Sequence, residues 1–463
     1  MSAKPRPTPP PAPPSAPGVH PKPWWSLRPA SDRQAGDAVV SNFLLHWFPA
    51  KSHKPSLAWS YSFWLGTVSA ALLFLLILSG LPLLFLYIPS VERAYASVKD
   101  IEYVITFGSW IRAVHRISAH LMVAAVFLHL VRVFLTGAYK NGVGRGTGAD
   151  QGSLLHASSQ KRQWNWVIGV AMLLLTLFLS FTGYLLPWDQ LAYWAVTVGT
   201  NIASSVPWVG PTVRELLIGG RTIEQATLIR FYVLHVLFLP MLIGVLFAYH
   251  MWRVRKDGGL ARADGARRSA EKTELPVAPG KTYTLLGVAR GTSPHVRAST
   301  VEAQGLTVNS IPDLTRRIAI VILGTIAVIG ILAVFVRSPL EEPANALITP
   351  NPAKAPWYFL WLQEIVTDTT IHVGSFTVNG AFLGGVLLPG ALVLLMTAWP
   401  WLDRSPGAAA GLWFPPTRRT QNLAFLLLVA AVVLLTVVGT FLRGPYWHFY
   451  WPWQPWPELP SRI

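Results

Sequence analysis

Apolar and polar positions come in long blocks along this chain, not in the short amphipathic periods of a soluble domain. Seven apolar stretches are each long enough to cross a bilayer, which takes roughly 20 residues of helix. They run approximately over residues 61–87, 112–137, 164–187, 229–252, 318–336, 380–401 and 422–442. The pattern predicts an all-α integral membrane protein with a four-helix bundle and three further transmembrane helices. Residues 1–40 read as a disordered Pro-rich extension, because such a composition lacks apolar surface to bury. Residues 41–255 carry the first four helices. A polar, basic, weakly periodic segment over 256–315 reads as a cytoplasmic linker. Residues 316–463 carry the last three helices and a tail with Tyr446, Trp447, Trp451, Trp453 and Trp456. Those rings are expected at the outer membrane–water interface. No repeat of the solenoid kind is visible.

Composition agrees with this pattern. The chain has 463 residues, 52% hydrophobic and 13% charged, a balance outside the soluble range. The first sixty residues lack a short apolar core followed by a small-residue cleavage site, so they are not read as a secretory signal. A net charge of +17 would suggest nucleic acid in a soluble protein, but here its distribution gives the reason. With a cytoplasmic amino terminus, the inside segments are 1–60, 138–163, 253–317 and 402–420, and they hold 26 of the 38 Lys and Arg. That is the positive-inside bias, and no nucleic-acid partner is expected. There are no cysteines, which removes disulfides, thiolate metal sites and thioether-attached haem.

The chemistry lies in the second and fourth helices. IRAVHRISAHLMVAAVFLHLVRVF carries His115 and His129 fourteen residues apart; RFYVLHVLFLPMLIGVLFAYHMW carries His235 and His250 fifteen apart. Fourteen steps return to within ~40° of one helix face and fifteen to within ~60°, so each pair lines one face, separated by roughly 21–22 Å. Both helices begin outside and run parallel. His115 is therefore expected opposite His235 near the outer surface and His129 opposite His250 near the inner one, each pair offering two axial imidazoles to one haem iron. A single histidine in a membrane helix more often makes an interhelical hydrogen bond, but imidazole in hydrocarbon is costly, and matched pairs on two helices favour ligation. His120 lies about 140° round from His115 and reads as an ordinary polar residue.

Glycines repeat the period. Gly66 and Gly80 in the first helix, and Gly169 and Gly183 in the third, are also fourteen apart. Lacking a Cβ, they let backbone approach the edge of a flat macrocycle, although glycine also serves helix packing. Arg112 and Arg132, each three residues from a candidate ligand, are placed to pair with haem propionates or to snorkel to the interface.

SWIRAVHRISAH, VFLHLVRVFLTG, TGYLLPWDQLAYWAV and RFYVLH…YHMWRVRK resemble the cytochrome b subunit of quinol:cytochrome c oxidoreductases. The fifteen-residue spacing and the PWDQ sequence favour the b-six type of photosynthetic bf complexes and bacterial menaquinol-oxidising relatives. EEPANALITPNPAKAPWYFLWLQE is similar to the family's quinol-site loop, which implies a fusion to the carboxy-terminal, subunit-IV-like part with three helices instead of four. The resemblance implies two non-covalent b haems and quinol oxidation at the outer side. One electron would pass to a Rieske iron–sulfur protein, whose histidine-ligated cluster has a raised potential, and on to a c-type cytochrome. The other would cross through the outer and then the inner haem to reduce quinone on the cytoplasmic side, building a proton gradient. It further implies a multisubunit homodimer in a bacterial inner membrane. By motif, Trp357 and Tyr358 belong to the quinol pocket, Trp188 and Tyr193 to its opposing wall, and Arg255 to the inner quinone site.

Two departures stand out. The residue aligned with the cysteine that attaches a third haem in the photosynthetic branch is Trp64, so no covalent third haem is expected and the indole would fill its cavity. The loop reads Ala355-Pro356-Trp357-Tyr358, with proline where the family has its proton-accepting glutamate. A short helix starting at Trp357 would place Glu364 on the same face, seven residues on, as a replacement acceptor aided by Asp368. Two other classes remain open from sequence: a haem-anchoring cytochrome b of another respiratory dehydrogenase, and a transporter or channel with structural histidines.

Overall fold

The computed structural model describes residues 51–141, 161–257, 307–407 and 410–456, with isolated positions 28, 35, 48 and 261. Most of the Pro-rich extension and of the linker lies outside the described residues.

Among the described residues, seven helices are long and apolar enough to span a membrane: Leu65–Leu86, Gly108–Leu135, Arg162–Leu185, Gln225–Arg255, Ser310–Phe335, Gly380–Leu402 and Pro416–Leu442. A helix satisfies its backbone groups internally, which hydrocarbon requires. Four of them begin at least four residues earlier than the hydropathy alone suggests. In the fifth, a kinked segment Ser310–Leu314, non-helical at Ile311, leads into regular α-helix from Thr315, where Arg316 and Arg317 wind into the helix but lower its hydropathy. Shorter helices that the apolar pattern does not show occupy the connections: Ala94–Tyr103, Gln190–Ser204 and Gly210–Ile218. A fourth, Trp357–Asp368, begins where the loop sequence predicts it, with Pro356 as its N-cap.

Lys51–His53, ahead of the first spanning helix, pairs antiparallel with Thr307–Asn309, ahead of the fifth. Four crossings thus return the chain to one face, here termed the ladder face; the opposite one is the far face. The bundle interior packs Leu72, Leu75, Ala113, Met122, Ala125 and Ile243 against Ile329 and Ala333 of the fifth helix. That helix therefore closes on the first two.

At the ladder face the last two helices are tied to the bundle by buried polar groups. The Arg418 guanidinium, fully buried, donates to the carbonyl of Phe134 (2.8 Å), to the Tyr139 hydroxyl (2.6 Å) and to Asp403 Oδ2 (3.3 Å). Tyr139 in turn donates to Asp403 Oδ2 at 2.6 Å, and Lys140 Nζ lies 3.2 Å from Oδ1. Burial opposes the charged form of Asp403, but hydrogen bonds from Ser405 and Tyr139 and the charge of Lys140 outweigh it and hold its pKa at about 2. Large apolar side chains such as Phe85, Phe335, Leu394 and Phe441 point outward, the surface that lipid or partner subunits cover. In the tail, Trp451 and Trp453 stack at 5.1 Å, while Tyr446 N–H donates to Asn351 of the loop ahead of Pro356.

Candidate functional site

The second and fourth spanning helices bring the His115 and His235 rings together near the far face, with centroids 6.2 Å apart and planes at 76°. Two imidazoles on opposite sides of one metal, with metal–nitrogen bonds of about 2 Å, need centroids roughly 6 Å apart once half of each ring is added. Ring orientation fits as well. His115 Nδ1 lies 3.0 Å from Ser79 Oγ, whose own proton goes to the Leu75 carbonyl at 2.6 Å. His235 Nδ1 lies 3.1 Å from the Leu179 carbonyl and 3.3 Å from Thr182 Oγ1. With Nδ1–H donating into a neighbouring helix, the Nε2 lone pair is free to coordinate. His129 and His250 lie nearer the ladder face on the same two helices.

The extra residue between His235 and His250 is absorbed locally. Leu234–Phe238 forms a π turn in which Leu239 N–H bonds the Leu234 carbonyl, and Pro240, just beyond, has no N–H to continue the ordinary ladder. A π turn holds one residue more than an α turn, so fifteen steps here cover the path of fourteen.

Each glycine of the periodic set sits against one histidine. A Cβ built on Gly66 would lie 3.2 Å from His129 Cε1, on Gly80 3.3 Å from His115 Cε1, on Gly169 4.0 Å from His250 Cε1, and on Gly183 2.5 Å from His235 Cε1. The first helix thus seats the histidines of the second, and the third those of the fourth. The glycines clear space for the imidazoles themselves, beyond the macrocycle edge that their spacing suggested.

The two arginines divide. Arg112 Nη1 donates to Glu102 at 2.6 Å and to the Ser338 carbonyl at 2.9 Å, and its Nη2 donates to the Pro339 carbonyl at 2.7 Å. Through these partners Arg112 clamps the second helix to the segment after the fifth. Arg132 is buried over the Tyr61 ring at 4.7 Å and interacts with that side chain, while its Nε and Nη2 find no hydrogen-bond partner among the described residues. Two orphaned donors fit an anionic group such as a propionate. Arg255 is half-buried, one turn beyond His250; its neighbour Arg253 pairs with Asp257 at 2.8 Å. Trp64 is buried beside Leu57 and Leu314.

At the far face the PWDQ segment and the EEPAN segment are laid together. Gln190 N–H donates to the Glu342 carbonyl at 2.8 Å, Ala344 N–H to the Trp188 carbonyl at 3.1 Å, and Asn345 N–H to Gln190 Oε1 at 2.6 Å. Asp189 caps the next helix through Ala192 N–H at 2.9 Å, and burial raises its pKa against those hydrogen bonds. Trp188 packs into an apolar cluster with Leu185, Ile218 and Phe231, with Tyr193 at its edge. Tyr358 is buried and its phenol is pushed up to about 12 by that burial.

The Glu364 carboxylate is 1% exposed, with both oxygens engaged by Arg443 at the end of the last spanning helix. Asp368 is a second, more exposed partner of that guanidinium at 3.4 Å. The short helix turns Glu364 toward Arg443, while Trp357 points to the second spanning helix and hydrogen-bonds His120. The residue that the sequence reading passed over is His120. Trp357 Nε1–H donates to His120 Nδ1 at 3.0 Å, and the Tyr358 ring lies 5.8 Å from the imidazole.

These features define a multi-pass, all-α membrane protein built around stacked histidine pairs. The cytochrome b/b6/petB profile matches residues 51–145, the cytochrome b(N-terminal)/b6/petB profile residues 154–356, and the cytochrome b(C-terminal)/b6/petD profile residues 343–451. Cytochrome b of Cereibacter sphaeroides is 30% identical over 410 residues, covering 83% of this chain and 80% of that protein. Cytochrome b6 of Synechococcus elongatus is 39% identical over 194 residues, covering 42% of this chain and 81% of that protein. A solved structure titled hyperthermophilic respiratory Complex III shares the fold, with TM-score 0.61, 22% identity and 86% of each chain covered. The chain belongs to the cytochrome b family of bc-type complexes, haem-binding oxidoreductase subunits of electron transport, with a subunit-IV-like carboxy-terminal part.

Proposed function

We propose that this chain is the di-haem subunit of a proton-translocating quinol:cytochrome c oxidoreductase. The observation that carries this reading is the opposition of His115 and His235 at 6.2 Å, with His129 and His250 on the same two helices nearer the ladder face, seated against Gly66 and Gly169. When bound, two b haems supply one-electron carriers on opposite sides of the bilayer. His115 and His235 would hold the outer one and His129 and His250 the inner one, each ring seated against a glycine of the neighbouring helix and the outer two oriented by Nδ1 hydrogen bonds. Arg132 would offer its orphaned donors to an inner propionate. On the outer side, Trp357 and Tyr358 line the quinol pocket near the PWDQ segment, and Arg255 lies toward the inner quinone site. A Rieske iron–sulfur protein and a c-type cytochrome are the electron-accepting partners, within a homodimeric assembly in a bacterial inner membrane whose amino terminus is cytoplasmic.

The test is a dithionite-reduced minus oxidised spectrum of the purified complex, with a redox titration and acid–acetone extraction. Two extractable b components of different potential are expected. Pigment left covalently on this chain, or a single component, would refute the assignment.

A further inference from the structure

The family's proton-accepting carboxylate is absent at Pro356, and Glu364 is locked to Arg443. Quinol cannot be oxidised without shedding protons, so another base must stand at the pocket. His120 is half-buried on the second spanning helix, beside the 42%-exposed Trp357. Its Nδ1 lone pair faces outward to the loop, where it receives the indole N–H at 3.0 Å. It lies five residues from His115 and on a different face, apart from the axial pair.

We propose that His120 accepts the first quinol proton in this protein, in place of the missing glutamate. The proposal rests on the quinol-oxidation reading given above. A quinol hydroxyl takes the place of the indole as donor to Nδ1; its O–H bond breaks and an N–H bond forms, leaving an imidazolium. The two electrons go to the acceptors of the proposed reaction, the iron–sulfur protein and the carrier within the membrane. The second hydroxyl proton goes to the iron–sulfur protein. Once the quinone leaves, the imidazolium releases the Nδ1 proton to outer water, which regenerates the Nε2–H tautomer that accepts from Trp357. Arg116, one turn earlier on the same helix, and Tyr358 on the loop helix are the charged and titratable groups beside His120. Tyr184 and Asp189 lie around Arg116. The fixed guanidinium repels an imidazolium, so the proton does not rest there.

The experiment compares the intact complex carrying His120→Gln with the unaltered complex, using naphthoquinol and benzoquinol analogues and following cytochrome reduction across pH. Glutamine can still accept the Trp357 hydrogen bond but cannot take a proton. Turnover should fall by ~10²-fold, the size of a general-base contribution, with both haem components intact by spectrum. Pro356→Glu added to His120→Gln should restore at least a tenth of the lost rate, and His120→Glu alone should work with its acid limb moved to lower pH. If His120→Gln does not assemble, the His120→Glu profile decides by the same criterion. Unchanged turnover and pH profile in His120→Gln would overturn the proposal, as would failure of both carboxylate variants to restore activity. An unaltered complex inert toward every quinol analogue would refute the function itself, a result separable from these.

Discussion

Gly183 and His235 are in closest approach of the four glycine–histidine pairs: a Cβ on Gly183 would stand 2.5 Å from His235 Cε1, whereas one on Gly169 would stand an ordinary 4.0 Å from His250. The first separation forces the ring or the helix to move. Gly183→Ala should therefore lose the outer haem component, while Gly169→Ala should retain both. Reduced-minus-oxidised spectra of the two variants decide this, and equal loss in both would show that the glycines serve the macrocycle and not the imidazoles.

Histidine pairing makes a second expectation. His115→Ala and His235→Ala should delete one and the same spectral component, and His129→Ala and His250→Ala the other. If His115→Ala and His250→Ala removed the same component, the parallel arrangement of the two helices would be wrong.

Glu364→Gln should behave as a folding variant. It leaves the Arg443 guanidinium largely buried and short of its charge partner, a loss of about 3–5 kcal/mol for a buried pair. The yield of haem-loaded complex should fall steeply, while the pH profile of the complex that does assemble stays unchanged. A shifted acid limb in Glu364→Gln would return the proton-accepting role to that carboxylate.

Asp403 makes the clamp at the ladder face pH-sensitive. Its folded pKa, about 2, is below the ordinary carboxylate value of 3.8. A group with a depressed folded pKa stabilises fully above its unfolded pKa and loses that contribution as pH falls through the folded one. Thermal stability of the solubilised protein should thus decline between pH ~4 and ~2, and Asp403→Asn should be less stable at neutral pH and flatter across that window. An identical slope in the variant would show that other carboxylates carry the acid response.

The seven spans and the histidine–glycine period were legible in the sequence because a bilayer imposes length and close approach of imidazole to the neighbouring backbone imposes register, and both leave marks within a single helix. Partnership across the chain left none. Arg112 stands three residues from His115, yet its contacts are decided by Ser338 and Pro339, more than 220 positions on. Glu364 was placed correctly on a helix starting at Trp357, but which way that helix turns depends on Arg443, and no local periodicity encodes that. His120 looked bland for the same reason, since its partner lies 237 residues away. Helix ends were misjudged where charged turns such as Thr315–Arg317 are wound into a helix whose apolar signal begins later.

The π turn at Leu234–Phe238 separates counting along the sequence from distance through the protein. Removing one residue from a helix ordinarily swings everything beyond it by about 100°. Here the surplus residue is already stored as slack, so losing one of Val236–Leu239 would let the turn tighten to an α turn and leave His250 where it was. Two lineages could then differ by an insertion in this helix and still present the same four imidazoles at the same depths.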